Sequence, residues 1–310
     1  MSAGDVLAGP APAPVAAMPA DRYQVEHETL YTYRIPVAQS WQLAHLTPRR
    51  LPWQRLVSHE LAIEPPPDER HESRDAFGNG VTHFGVHGPH PQLRVRMVCE
   101  VEISDRPDAG AGAALGWEAV RESVLDEPAQ DGLRAVRMAE PTTLVPWSDA
   151  ARAYAEPSFG VGRDWLESVT DLMQRIHREF EFDAEATTVT TSVDEVLVDR
   201  RGVCQDFAHV MLACLRSHGL PARYVSGYLL TQPPPGRPRL LGADASHAWV
   251  AAYSPNHGWV EFDPTNDTRA DRRYITLASG GDFADVVPLR GVILGGRDQT
   301  MKVAVSVVPR

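Results

Sequence analysis

Cys204, His247 and Asp263 are the residues of this 310-residue chain whose types and spacing could do covalent chemistry. Cys204 follows a Gly-Val pair and opens an apolar run in "RRGVCQDFAHVMLACLRSHGLPARYVSGYLL". Phe207, Val210, Met211, Cys214 and Leu215 recur there at helical steps. Gly219 and Pro221 close the run, as a glycine just past a helix end and a following proline should. A thiol at a helix N-terminus faces unpaired N–H groups and the positive end of the dipole. That setting lowers a thiol pKa from roughly 8.5 to about 3.5–7.5, most strongly with a histidine near. Gly202 would let the chain turn tightly into the helix. The charge of Asp206, in the first turn, works against the thiolate, and an imidazolium would have to outweigh it.

The histidine comes 43 residues on, in "DASHAWVAAYS". His247 alternates there with Trp249, Ala251 and Tyr253 on one strand face. A hairpin through "SPNHG" that sets Tyr253 opposite Trp259 also sets Trp249 opposite Asp263. His247 and Asp263 are then diagonal neighbours on one face, about 7–8 Å apart at the backbone and within side-chain reach. A slip of one residue would separate them onto opposite faces. Pro264, lacking an N–H, ends the strand. The expected roles follow from this placement. Cys204 attacks, His247 holds its proton, Asp263 fixes the imidazole, and the Cys204 N–H stabilises an oxyanion.

Other reactive residue types carry plainer readings. Cys99 alternates in a strand and Cys214 lies on the helix stripe, so both read as core. His209 and His218 read as packing or surface residues, and His257 as a solvated turn residue. His83, His87 and His90 in "THFGVHGPH" fit no zinc spacing, and a β-turn region is the better reading. Asp267 and Asp271 with their arginines read as a solvated loop. There is no CxxC and no EF-hand loop, so neither a metal nor a cofactor is expected.

The elements that must position these residues are legible in outline. Residues 1–20 are Ala/Pro-rich without a basic leader and read as a disordered tail. Residues 21–105 alternate through "YQVEHETLYTYRI", "LVSHELAIEP" and "LRVRMVCEVEIS", separated by "PPPDER", "AFGNG" and "GPHPQ". They read as an antiparallel β-rich N-terminal domain, a small sandwich. Residues 106–160 read as a linker with short helices, and 161–310 as an α+β catalytic core. In that core Trp165, Val169, Leu172, Ile176 and Phe180 mark an amphipathic helix, and "MKVAVSVVP" a final strand. "QPPPGRPR", residues 232–239, is a loop, inert or a flap over the cleft. The net charge of −11 argues against nucleic acid or an anionic membrane as partner. No apolar run reaches the roughly 18 residues of a membrane span. Three sparse cysteines suit a reducing cytoplasm.

The blocks around Cys204, "DASHAWVAAY" and "GWVEFDPTN" resemble the three core blocks of the transglutaminase-like superfamily. "VEHETLYTYRIPVAQSWQLAHLTPRRLPWQ" and "RDAFGNGVTHF" resemble the N-terminal domain of its bacterial members. The resemblance implies a papain-like α+β core in which a cysteine-bearing helix packs on an antiparallel sheet supplying His and Asp. It implies a Cys204–His247–Asp263 triad acting on an amide of a protein or peptide through a thioester. Hydrolysis and transamidation are both open as outcomes. A non-catalytic peptide- or protein-binding module on the same scaffold is the alternative. The chain departs from the family pattern near its end. It reads Tyr274-Ile275 where "HI" is usual, and Gly281 and Phe283 where arginine and tyrosine are expected. A cationic contact is therefore expected to be missing around Gly281.

Overall fold

The computed structural model describes residues 20–111, 114–126, 135–188, 191–230 and 246–310. The tail at 1–19 and the proline-rich loop at 232–239 lie outside the described residues.

Two antiparallel sheets dominate. The N-terminal sheet contains β1 (Asp21–Thr47), β2 (Gln54–Glu64), β3 (Glu69–Arg74), β4 (Gly80–Val86) and β5 (His90–Ile103). The first half of β1 pairs with β5, from Asp21 opposite Ile103 to Thr32 opposite Gln92. Its second half pairs with β4, from Ser40 opposite Val86 to Thr47 opposite Gly80. One long strand shared between two partners curls a single sheet around its core, where the sequence reading had a sandwich. "THFGVHGPH" and the end of "PPPDER" supply β4 and β3 rather than turns. These strands carry His, Arg and Glu on exposed positions, so their alternation is weak in sequence.

The core sheet contains β8 (Ala222–Leu229), β9 (Ser246–Ser254), β10 (Gly258–Asp263), β11 (Thr268–Arg269) and β12 (Tyr274–Gly280), in the order β11-β10-β9-β8-β12. Helices Trp117–Asp126 (α1), Asp149–Ala155 (α2), Trp165–Glu179 (α3), Val193–Asp199 (α4) and Cys204–Ser217 (α5) cover one face. Trp165, Val169, Leu172 and Ile176 of α3 and Phe207, Met211 and Leu215 of α5 bury there against Ala248, Val250 and Phe262. Every residue of α5 from Asp206 to Arg216 is buried, although the sequence marks only one stripe as apolar. Short strands β6 (Glu181–Phe182) and β7 (Arg201–Gly202) form a separate parallel pair.

The final strand, β13 (Leu289–Pro309), leaves the core and returns to the N-terminal sheet. It runs along β1 from Tyr23 opposite Pro309 to Ala44 opposite Leu289. The register slips once, between Val37 and Gln39, and Gly295 and Gly296 take φ of 80° and 71° there. Only glycine accepts such a bulge without strain.

β12 is the edge strand through which the two sheets meet. Tyr228, Ile275 and Leu277 enter the N-terminal core. The outer backbone edge of β12 is closed by two side-chain amides. Gln54 donates to Thr276 O at 2.7 Å and accepts from Thr276 N at 2.8 Å. Asn79, in the "AFGNG" turn, donates to Ser279 O and accepts from Ser279 N, both at 2.9 Å. The register with β8 slips between Thr276 and Ala278, so the outward backbone groups bonded by the two amides are those of Thr276 and Ser279. Asp75 holds Asn79 in turn, accepting from its amide at 2.7 Å and its backbone N–H at 2.8 Å. Buried backbone groups without partners are costly, and these amides replace a missing strand. We expect Asn79→Ala to lower stability by roughly 2–5 kcal/mol in urea denaturation, because it orphans one donor and one acceptor. A loss below about 1 kcal/mol would mean that water reaches β12 and the clasp is dispensable.

Candidate active site

Cys204 is held at its helix N-terminus by the segment before it. α4 is capped by Ser192 and Glu195 and ends at Arg200, whose φ of 55° is left-handed. The chain then runs beside Glu181–Phe182, with Glu181 N donating to Arg200 O at 2.8 Å and Asp183 N to Gly202 O at 2.9 Å. The turn is thus made by Arg200. Gly202 is required for space, since a Cβ there would lie 2.6 Å from Asp206 Oδ2. Asp206 accepts from Val203 N at 2.8 Å and from Thr187 Oγ1 at 2.6 Å, satisfying the helix start. Burial raises its carboxyl above the usual range, against these two bonds. That weakens the opposition expected between Asp206 and a thiolate. Cys204 itself is half-buried, whereas Cys99 and Cys214 are fully buried, as their patterns predict.

The hairpin register is the one the sequence predicts, with Trp259 opposite Tyr253 and Phe262 opposite Val250. His247 and Asp263 consequently meet, Nε2 to Oδ2, at 2.7 Å. Nε2 is engaged by the carboxylate, which leaves Nδ1 for the thiol. Burial would lower His247, but hydrogen bonds to Asp263 and Cys204 and the charges of both overcome it and push the imidazole up to about 10. Asp263 is 0% exposed. Burial works against its charge, yet His247, Asn266 and Tyr274 together hold it below the usual carboxylate range. Its Oδ2 also accepts from Asn266 Nδ2 and Tyr274 Oη, each at 2.7 Å. Oδ1 accepts from Thr265 N at 2.9 Å and Asn266 N at 3.3 Å, an Asx turn made by "DPTN". Tyr224, buried on β8, is a further phenol that feels the sulfur and is raised first by its burial.

Sequence reasoning missed Asn266 and Tyr274 as partners of the carboxylate. Asn266 had a signal, three residues after an Asp-Pro at a strand end. Tyr274 had one too, as a departure from the family pattern, and its ring also packs edge-on against Trp249 at 5.3 Å.

Around Gly281 the structure places a cation from another element. Arg216, buried at the end of α5, donates to Gly281 O at 2.6 Å, Ala222 O at 2.8 Å and Met138 O at 3.1 Å. A Cβ at Gly281 would come within 2.9 Å of Thr142 Cγ2. His209 is a packing residue, buried against Tyr224 and accepting from Phe283 N at 3.3 Å. Burial takes it down to about 4, so it stays neutral. His257 lies in the β9–β10 turn, half-buried, with its ring stacked on Trp165 at 5.4 Å. Among the described residues no group of three metal-ligating side chains converges. No helix among them is long and apolar enough to cross a membrane.

Comparison with known proteins shows what family and fold the chain shares. Residues 23–102 match the bacterial transglutaminase-like N-terminal region, and 152–264 match the transglutaminase-like superfamily core. Uncharacterized proteins of Mycobacterium bovis and Mycobacterium tuberculosis are each 43% identical over 296 residues, covering 93% of this chain and 93% of theirs. A Pseudomonas aeruginosa protein-glutamine gamma-glutamyltransferase is 31% identical over 160 residues, 50% of this chain and 23% of its own length. A candidate cysteine protease from Cytophaga hutchinsonii shares the fold, with a TM-score of 0.74 at 19% identity over 94% of this chain and 91% of that one.

We expect Tyr274→Phe to cost about 1.5–3 kcal/mol of stability at neutral pH, the worth of a hydrogen bond to a charged group. Asp263 is depressed in the fold, so its contribution is full above the ordinary value of about 4 and is lost as pH falls through the lowered one. The cost of Tyr274→Phe should therefore shrink in acid. A cost that is constant with pH would show that the phenol does not support the charge.

Proposed function

The chain belongs to the transglutaminase-like superfamily, and we propose that it is a cysteine acyl-transfer enzyme acting on amides of proteins or peptides. One observation carries this reading. The half-buried imidazole of His247 is hydrogen-bonded to Asp263 at 2.7 Å, and both Asp263 and Cys204 raise its pKa. That is a proton relay between a nucleophile and an orienting carboxylate.

In this mechanism His247 holds the thiol proton as imidazolium, and the Cys204 thiolate attacks the amide carbonyl. The first N–H groups of α5, that of Cys204 among them, face the developing oxyanion, having no acceptor within the helix. His247 Nδ1 gives its proton to the departing amine or ammonia, leaving an acyl thioester on Cys204. Water or a second amine then attacks the thioester, His247 takes its proton, and the thiolate departs. Asp263 keeps Nε2 protonated throughout and stabilises the cation. The P. aeruginosa relative's name points to transfer from protein glutamine, and we extend that substrate class to this chain. Its three free cysteines support a reducing compartment such as the cytoplasm.

Two measurements test the reading. Cys204→Ala should lower ammonia or fragment release from glutamine-containing peptides by at least about a thousandfold while the fold is retained. Iodoacetamide should label Cys204 ahead of Cys99 and Cys214, both buried and pushed up by their burial. Undiminished release by the alanine variant, or a Cys204 no more reactive than the other two, would leave a binding module as the better description. The imidazolium persists to about pH 10, so activity should fall on an alkaline limb near there. Asp263→Asn should bring that limb down towards the ordinary histidine value of about 6.5.

A further inference from the structure

A cavity of about 640 Å³ lies between the N-terminal sheet and the core. Arg49 and Phe77 border it from one side, Arg223, Tyr253 and Trp259 from the other, and exposed Arg137 also lines it. Three arginines line this space, and among the described residues no carboxylate lines it.

Arg223 is the residue that a purely structural role leaves unexplained. It projects from β8 with its guanidinium 4.2 Å from the Trp259 ring centroid. Its Nε is buried and makes no hydrogen bond. Burial and the neighbouring charge of Arg49 bring it down to about 10, with only Glu261 opposing them. Glu261 pairs with Arg106 through Oε2, at 3.0 and 2.9 Å, while its Oε1 is buried without a hydrogen bond. A guanidinium offers five donors in a planar fork that matches oxyanions. Arg223 is a half-buried cation with an unpaired Nε, beside Arg49, which already donates to Phe77 O at 3.0 Å and to Asn79 Oδ1. Two adjacent cations are an arrangement that an anion completes.

We infer that this interdomain cavity binds a small organic anion, its phosphate or carboxylate group shared by Arg223 and Arg49 and its apolar part against Trp259 and Phe77. The site is separate from the proposed chemistry. Tyr253 and Trp259 pair at the turn end of the β9–β10 hairpin, whereas Asp263 ends β10 at the other. A ligand there bridges the two sheets and so stabilises their docking.

Titration of the full chain with phosphate and with citrate, against sodium chloride at matched ionic strength, tests this by calorimetry and thermal unfolding. We expect saturable binding and a raised Tm with at least one of the two anions and with neither at the chloride control. Phosphate alone would identify a phosphoryl ligand, and citrate alone a carboxylate one. Arg223→Gln should weaken binding about tenfold or more. In anion-free buffer the same variant should be as stable as the parent or more so, since repulsion from Arg49 is relieved. Arg137→Gln, at an exposed position, should weaken binding without touching the fold, and serves if Arg223→Gln does not fold. Cys204→Ala should bind as the parent does, which separates this inference from the enzymatic one. No saturable binding of either anion, or unchanged affinity in the arginine variants, would overturn the assignment. So would a loss of stability of Arg223→Gln in anion-free buffer, which would mark a structural cation.

Discussion

The structure turns on a carboxylate removed from water. Asp263 has no exposed surface, and an ionised group in that position survives only if its lone pairs are filled. Five donors fill them, and they come from three places. His247 reaches across the β9–β10 hairpin. Thr265 and Asn266 come from the turn that follows the strand. Tyr274 comes from the far edge of the sheet. The imidazole therefore cannot be placed without the hairpin register, nor the carboxylate held without the edge strand. The edge strand, in turn, is completed by Gln54 and Asn79 of the N-terminal sheet. A domain that contributes no residue to the proposed chemistry thus bears on its geometry through backbone hydrogen bonds.

Much of this was legible because local rules agreed with one another. The hairpin could be registered from one turn and one alternation, since a strand offers only two faces and one of them had to hold His247. The ends of α5 followed from a glycine and a proline whose conformations allow little else, and Gly219 indeed has φ of 73°. What stayed hidden depends on groups distant in sequence. Arg216 is a buried cation at the end of α5, unreadable from sequence because the carbonyls it meets lie on three separate segments. Gly202 looked like a turn residue, and only the folded position of Asp206 reveals that space was the constraint. β3 escaped notice because its side chains face water and its pairing is entirely backbone.

α5 illustrates a wider point about central helices. Its apolar stripe packs on the sheet as amphipathic patterning predicts. Asp206, His209 and Arg216 are buried as well, and each has a specific partner. Asp206 closes the N-terminus, His209 accepts a backbone N–H, and Arg216 gathers carbonyls at the C-terminus. Such a helix is fixed in rotation and along its axis by directional bonds, which hydrophobic contact alone would leave loose. A nucleophile at its first residue inherits that rigidity.

The return of β13 to β1 has a consequence for biogenesis. β1 finds its long companion only after the whole core has been made, because the twenty-one residues of β13 follow the core in the chain. Until then one whole flank of β1 is an open template, the kind of flank that recruits foreign strands. The nascent sheet must therefore wait through synthesis of the entire core before it can be sealed, and a chain lacking β13 would retain every residue of the proposed chemistry while leaving one edge of β1 exposed to aggregation.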